Sequence, residues 1–239
     1  MPEPSSRARY IFPGFLLFLA AVFLTLGTWQ VQRLFWKLDL IERVEARIHA
    51  DPVPAPSRAE WNTVSAEKDE YRRVGVTGLF LHDKTVLVQA VTERGAGFWV
   101  LTPLILADDT AVIVNRGFVP ADRRDPAARV ASELAAGPVA VTGLLRISEP
   151  GGAFLRSNDP AGDRWFSRDV AAIAAAKGIA DVAPYFIDAD ATPNPGGLPI
   201  GGLTVVAFRN THLVYALTWY ALAAMSAAAA YFVRRSRLA

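Results

Sequence analysis

Two long apolar segments near the ends of the chain dominate its hydrophobic pattern. Residues 10–31 and 213–233 contain no Asp, Glu, Lys or Arg. Each segment is long enough for the helix of about 20 residues that crosses a bilayer. Aromatic residues, which favour the headgroup level, lie towards or just beyond the segment ends, at Tyr10, Trp29, Trp36, Tyr215, Trp219 and Tyr231. The pattern therefore predicts two transmembrane helices.

A cleaved signal peptide is the alternative interpretation of the first segment, because Arg7 and Arg9 precede it. The residues that follow, TWQVQRLFW at 28–36, are bulky rather than small at the cleavage spacing. The apolar run is also longer than a usual signal core. Both observations favour a retained anchor.

The pattern between the two segments changes to that of a β-rich domain. A helical spacing of apolar residues continues to Ile48, until the prolines of DPVPAPS (51–57) end the helix. Residues 167–178 predict a short helix that Ser167 is a candidate to cap, and Trp165 and Asp169 are interpreted as anchoring and capping it. β-branched and aromatic runs predict strands at 71–81, 84–91, 97–106, 110–120, 138–147, 184–189 and 203–208.

These elements predict an α+β membrane protein in which two antiparallel transmembrane helices flank an exported, mainly antiparallel β domain with short helices. The predicted segments are a cytoplasmic tail (1–9), a first transmembrane helix (10–31), the exported domain (32–212), a second transmembrane helix (213–233) and a cytoplasmic tail (234–239). On the second helix, pairs of alanines at 223/227 and 224/228 have the small-xxx-small spacing that lets helices approach closely.

The distribution of basic residues predicts the orientation. Arginines precede the first span and follow the second, whereas residues 34–209 contain 19 Lys or Arg against 22 Asp or Glu. Both termini are therefore expected in the cytoplasm, with a large periplasmic loop, and a bacterial inner membrane is the simplest location. The middle domain has no basic stripe, which argues against binding of nucleic acid.

Catalytic signatures are absent from the sequence. The chain has no cysteine, which excludes thiol chemistry and Cys-ligated metals. It also lacks HExxH, GxSxG and a phosphate-binding glycine loop. We therefore do not expect an enzyme.

A histidine at the start of the second span is the most informative candidate for a site. His212, Tyr215 and Trp219 share one helical side, and two antiparallel spans bring Trp29, Gln30, Arg33 and Arg209 to the same outer face. An imidazole, apolar walls and nearby cations are what a haem needs for its iron, its macrocycle and its propionates. On spacing alone, an ordinary interfacial histidine stays open as the alternative.

Several motifs occur in order between the two spans, and together they resemble the surfeit-locus family of cytochrome c oxidase assembly factors over nearly the whole chain. They are GTWQVQRLFWKLDLI, FWVLTPL, VNRGFVP, SNDPAGDRWFSRD, LPIGG and RNTHLVYALTWY. Family members often have asparagine where Thr211 stands and tryptophan where Phe118 stands, and neither departure removes an iron ligand.

The resemblance implies an assembly factor that binds haem a at the outer membrane edge, with His212 on the iron, and helps to deliver it to the catalytic subunit of a haem-copper oxidase. Haem A synthase is a second candidate partner, and membrane lipid surrounds the spans. The alternative is a cofactor-free scaffold that stabilises an oxidase assembly intermediate. Asn115 and Arg116 are interpreted either as a contact to the membrane, a partner or a propionate, or as a strand end paired within the domain.

Overall fold

A computed structural model describes residues 8–133, 137–153, 155–206, 208 and 210–236. It divides the chain into two units, one formed by Met1–Arg43 with Ala207–Ala239 and the other by Val44–Val206. The helices are α1 (Ala8–His49), α2 (Ala66–Asp69), α3 (Val130–Glu133), α4 (Val170–Lys177) and α5 (His212–Ser236). The strands are β1 (Val53–Pro54), β2 (Arg73–Phe80), β3 (Val86–Thr92), β4 (Gly95–Leu106), β5 (Ala111–Pro120), β6 (Val139–Ile147), β7 (Gly152–Ala153), β8 (Arg156–Ser157) and β9 (Val182–Ala189).

The terminal unit contains the two apolar helices that the sequence predicts. Both α1 and α5 are long and apolar enough to cross a membrane. Helix α1 continues without a break to His49, as the helical spacing of its apolar residues predicts, and ends just before Pro52. The helices are therefore confirmed as elements, and their crossing of a membrane stays a prediction.

The central unit is built on a closed β-barrel. Strands β2, β6, β9, β5 and β4 pair in that order, and β4 pairs again with β2 to close the ring. Within the ring, β5 and β9 are parallel and the other pairs are antiparallel, which confirms the prediction of a mainly antiparallel sheet. Strand β3 extends the sheet beside β4, and β1 pairs with β2.

Closure of the barrel depends on a glycine. Gly78 pairs with Leu106 of β4 and with Val139 of β6, so β2 is held from both sides at this position. A Cβ added at Gly78 would collide with the carbonyl oxygen of Ile105. Only glycine permits the two backbones to come so close.

Alternation along the strands separates two hydrophobic clusters. On β5, Val112 and Val114 face one cluster, to which all five ring strands contribute and which therefore fills the barrel. Ile113 faces a second cluster outside the barrel, where α4 and Trp165 cover the sheet. The period of two thus gives β5 two buried faces, which explains its continuous apolar run.

The short helix α4 confirms one capping interpretation and corrects another. Asp169 is the N-cap, and its carboxylate accepts a hydrogen bond from Ala172 N at 3.1 Å. The prediction of Ser167 as the cap is wrong, because its hydroxyl accepts from Asn158 Nδ2 instead. Trp165 anchors the helix as predicted, with only 1% of its surface exposed.

The predicted strand at 203–208 is wrong. Residues 203–206 and 208 are not in a strand. Both edges of β9 and of β5 are already paired within the closed ring, so the ring offers this segment no free edge. Thr204 instead donates a hydrogen bond to the carboxylate of Asp188 at 2.9 Å.

A buried carboxylate, Asp188 on β9, connects several elements of the barrel. It accepts hydrogen bonds from Asn115 at 2.7 Å, from Arg146 at 3.0 Å and from Arg168 at 3.2 Å. Only 2% of the residue is exposed. Burial would lower the pKa of Arg146, but the carboxylates of Asp188 and Glu70 outweigh it and raise that pKa. The charges are therefore mutually satisfied inside the domain.

Asn115 and Arg116 lie inside the domain as well. Each is 4% exposed. The guanidinium of Arg116 stacks over the ring of Phe80 at 4.9 Å and donates to Asn194 Oδ1 at 3.3 Å. Such burial does not fit the interpretation of this pair as a contact to the membrane or to a propionate.

Replacing the buried carboxylate tests this network. We expect Asp188→Asn to lower the free energy of unfolding by about 3 kcal/mol, because it leaves two buried guanidinium groups short of a counter-charge. The matched control is Asp190→Asn, since Asp190 is 31% exposed and 3.9 Å from Arg73, and such a pair contributes under about 1 kcal/mol. Thermal unfolding of both variants in detergent is the measurement. Equal midpoints for the two variants would contradict the account.

Candidate functional site

His212 is the first residue of α5, and the preceding residues start that helix. The side-chain oxygen of Asn210 accepts a hydrogen bond from His212 N at 3.3 Å, which satisfies one of the unpaired donors of the first turn. Tyr215 N then donates to Thr211 O at 3.3 Å. The polar residues before the apolar run therefore fix where the helix begins and where the imidazole emerges.

The imidazole of His212 contacts helix α1 through Gln30. His212 Nδ1 lies 2.7 Å from Gln30 Oε1. Because an amide oxygen only accepts, Nδ1 carries the proton and donates in this arrangement. In the neutral ring this arrangement leaves the lone pair on Nε2, and a neutral imidazole is the form that binds a metal ion.

An aromatic pair lies about two turns away from this contact along the same two helices. The ring of Trp219 stacks on that of Phe23 with centroids 5.6 Å apart and planes inclined by 25°. Trp219 lies only about 20° around α5 from His212, by the 3.6-residue period. The aromatic surface on the His212 side is therefore partly covered by Phe23 and partly open.

Small residues let α1 and α5 approach closely. Ala216, Ala223 and Ala230 are each under 5% exposed and recur every seven residues. A Cβ added at Gly27 would lie 2.7 Å from the ring of Tyr220, whose hydroxyl is 3.3 Å from that of Thr28. The predicted small-xxx-small pairs are only partly right, because Ala224, Ala227 and Ala228 are exposed and Ala223 alone is buried.

The order of these contacts shows that the helices are antiparallel. Going up α1 from Phe23 to Gln30, the partners go down α5 from Trp219 to His212. The relation confirms the predicted sense of the two helices. It also brings the end of the first apolar segment and the start of the second together at one end of the helix pair.

The remaining predicted site residues lie around this contact in different ways. Arg33 is about one turn beyond Gln30, and its guanidinium lies 4.8 Å from the ring centroid of Trp36. Tyr215 is 54% exposed. Trp29 is 49% exposed and points about 100° around α1 from Gln30, so it joins the outer surface of the helix. Arg209 lies outside the described residues.

Phe23 and Lys37 escape the sequence prediction, which places Gln30 at this end of the first span but does not identify it as the partner of His212. Lys37 Nζ lies 4.6 Å from the ring centroid of Phe208, so a further cation belongs to this end of the helix pair. The sequence signal for Gln30 is a polar residue at the end of an apolar run. The pairing of Gln30 with His212 depends on how α1 is rotated against α5, and the spacing of residues within one helix does not specify that rotation.

Multi-ligand metal binding is not indicated here. Among the described residues, no group of three or more His, Cys, Asp or Glu could hold a metal ion. This finding concerns sites built from several protein ligands, and it leaves open a site that uses one imidazole.

Enlarging Gly27 tests the helix contact. We expect Gly27→Leu to destabilise the helix pair by about 1–3 kcal/mol, because the new side chain displaces Tyr220 from a packed interface. Gly14→Leu is the matched control, since a Cβ there has no neighbour within 4 Å. Thermal unfolding in detergent should show a lower midpoint only for Gly27→Leu. A midpoint as high as that of Gly14→Leu would mean that the helices do not pack at this position.

Comparison with known proteins places the chain in a family. The SURF1 family profile matches residues 17–224. Surfeit locus protein 1 of Rattus norvegicus is 37% identical over 93% of this chain and 76% of its own length. A SURF1-like protein of Monosiga brevicollis is 39% identical over 92% of this chain and 86% of its own length. The human Surfeit locus protein 1 is 37% identical over 87% and 73%. The profile and the relatives span both terminal helices and the barrel between them, and on this match the chain belongs to the SURF1 family.

Proposed function

We propose that this protein is a cytochrome c oxidase assembly factor that holds haem a at the outer edge of the membrane. His212 Nε2 would bind the haem iron, and the protein would pass the haem to the catalytic subunit of a haem-copper oxidase. Haem A synthase is the candidate donor. The observation that carries the proposal is the 2.7 Å contact between His212 Nδ1 and Gln30 Oε1.

That contact supports an iron ligand more than an idle interfacial histidine. A histidine that only marks the interface gains nothing from a fixed tautomer. A metal ligand gains much, because a hydrogen bond to Nδ1 orients the ring and raises the basicity of Nε2. The acceptor is a neutral amide rather than a carboxylate, so the increase in basicity is moderate. Moderate binding suits a carrier that must release its cargo.

The surroundings of His212 suit an amphipathic macrocycle. Trp219 and Tyr215 lie on the His212 side of α5, and Trp219 is half-buried while Tyr215 is exposed. Arg33 and Lys37 lie beyond Gln30 on α1, where the propionates would meet cations. Arg209 is adjacent in sequence to Phe208 and is a third candidate cation. Trp29 contributes apolar surface from the neighbouring side of α1.

Release requires no bond-making catalysis in this proposal. His212 would hold the haem iron through Nε2, and transfer would need only the exchange of that one bond for a ligand of the receiving subunit. Gln30 would hold the imidazole in place for the next haem. The chain would therefore act as a carrier and not as an enzyme.

The location belongs to the same proposal. Two antiparallel apolar helices with basic ends would place both termini in the cytoplasm and residues 44–206 outside it. The bacterial inner membrane stays a prediction from the sequence, since the relatives named above are from eukaryotes.

A cofactor-free scaffold is the second candidate function. It is favoured by the stacking of Phe23 on Trp219, because the helix pair then packs its aromatic residues without a ligand. In that case the barrel would steady an oxidase intermediate and the helices would only anchor it.

A spectrum of the purified protein separates the two functions. The full chain is produced with haem A synthase, purified in detergent and measured as a reduced-minus-oxidised difference spectrum. We expect haem a to copurify with the natural sequence and to be lost in His212→Ala, because Nε2 is removed. His49→Ala is the matched control. The imidazole of His49 lies on an exposed turn of α1 against the backbone of Glu45, so this variant should retain haem. An unchanged haem content in His212→Ala would show that His212 is not the iron ligand. A natural protein without haem absorbance would favour the scaffold function.

Gln30→Leu tests the hydrogen bond itself. The substitution keeps the helix and the volume but removes the acceptor for Nδ1–H. We expect haem affinity to fall by about tenfold to a hundredfold, as for other losses of a hydrogen bond to a metal-bound histidine. Haem titration in detergent is the measurement, and Gln32→Leu on the exposed face of α1 is the control. Equal affinities for the two variants would show that Gln30 does not support the ligand.

A further inference from the structure

The barrel domain receives its two chain connections at one end. Arg47, in the last turn of α1, donates hydrogen bonds to the carbonyls of Glu67 at 2.7 Å and Glu70 at 3.3 Å. Strand β1 then pairs Val53 with Val74 near the start of β2. The incoming chain is therefore attached where β2 begins.

The outgoing chain leaves from the same place. Residues Leu203–Val205 line a pocket of about 630 Å³ together with Tyr71 and Arg146, which lie just before β2 and on its neighbour β6. The tip of the β3–β4 hairpin, Val91–Arg94, lines the same pocket. We call this part of the domain the exit end, defined by Arg47, Tyr71, Val91–Arg94 and Leu203–Val205.

The pocket itself does not point to an anionic ligand. Its two inner arginines are already engaged, Arg146 with Asp188 and Glu70, and Arg168 with Asp188 and Glu149. The unusual chemistry lies on the rim of the pocket and beside it.

Exposed aliphatic side chains concentrate at this end. Among the described residues of the domain, the three most exposed large hydrophobic side chains are Leu155 at 88%, Val91 at 86% and Val205 at 70%, and the next is Leu79 at 49%. Val91 and Val205 line the pocket. Leu155 lies on the β7–β8 hairpin, which is linked to β3 because Arg156 donates to Gln89, two residues before Val91, at 3.0 Å. We call these three residues the aliphatic rim.

The backbone at Leu155 adds a second, independent observation. Leu155 has φ of 62°, in the left-handed region that favours glycine or asparagine. A leucine in this conformation, at the tip of the β7–β8 hairpin and almost fully exposed, contributes no packing to the domain. Both features are unfavourable in water, and they are expected where a side chain is buried by something outside the chain.

We propose that the exit end rests on the bilayer and that the aliphatic rim enters the headgroup region of the leaflet. Both connections at this end lead directly into helices that are long and apolar enough to cross a membrane, so a lipid surface is the partner that the chain itself supplies. Exposed Arg94 and Arg156 flank the rim, and their long side chains suit lipid phosphates. The contact is independent of haem, because it involves only the barrel domain and lipid.

Site-directed fluorescence on the full chain in nanodiscs tests the proposal. The sequence has no cysteine, so Val91→Cys, Leu155→Cys and Val205→Cys each introduce one thiol for the same environment-sensitive dye. Leu79→Cys is the matched control. Leu79 pairs with Ile105 and Val91 with Ala96, and these partners are about 30 Å apart along β4. The nanodiscs contain phosphatidylethanolamine and phosphatidylglycerol, with a spin label on the fifth acyl carbon as the lipid quencher and iodide as the aqueous quencher.

We expect the lipid quencher to act more strongly on dyes at the aliphatic rim, and iodide to act more strongly on the dye at Leu79. Dyes on the aliphatic rim should emit at shorter wavelength, with about threefold more quenching by the spin-labelled lipid and about threefold less by iodide than the dye at Leu79. Quenching at the rim equal to that at Leu79 would overturn the proposal. So would rim dyes shielded from both quenchers, since a protein partner or a second copy would then cover this end.

Discussion

The hydrogen bond between Gln30 and His212 is the interaction on which the functional account depends. It joins the two apolar helices at the end where the barrel domain is connected, and it sets which imidazole nitrogen carries the proton. Without it, His212 would be one more polar residue at the start of a span. With it, the ring has a fixed direction, and its neutral form presents the lone pair of Nε2.

That interaction requires the helices to hold their rotation and register. Gly27 and the buried alanines supply the close approach, and the Phe23–Trp219 stack resists sliding of one helix along the other. In lipid, helix association relies on such packing, because burial of apolar surface gives no advantage there. The position of the His212 imidazole therefore depends on the packing of Gly27 and the buried alanines, which lie one to several helical turns away.

The closed barrel has a separate structural role, which is to pair the edges of its strands. Ring closure leaves β2, β4, β5, β6 and β9 without free edges, which protects an apolar sheet from pairing with other chains. Asp188 then ties β5, β6, the approach to α4 and the outgoing segment at Thr204 into one buried network. The chain that returns to α5 is thus fastened to the barrel by a charge-assisted hydrogen bond.

The sequence predicts what depends on local pattern and misses what depends on distant partners. Strands β2 to β6 and β9, the terminal helices and the cap at Asp169 follow from alternation, helical spacing and side-chain chemistry, whereas the two-residue strands β1, β7 and β8 are not predicted. Barrel closure does not, because it requires Gly78 to meet Ile105 across 27 positions of the chain. The strand expected at 203–208 has good β propensity, but the ring offers it no edge. At the site, His212 can be found from its place before an apolar run, whereas Gln30 becomes its partner only once two helices are rotated against each other.

Electron spin echo spectroscopy can show whether an imidazole nitrogen of His212 binds the haem iron. The protein is produced with ¹⁵N-labelled histidine, loaded with haem a and oxidised, so that the nitrogens bound to iron modulate the echo. The account predicts a ¹⁵N coupling from a coordinated imidazole that disappears when only His49 and His82 remain as histidines. A haem signal without any ¹⁵N coupling, or one that persists without His212, would contradict it.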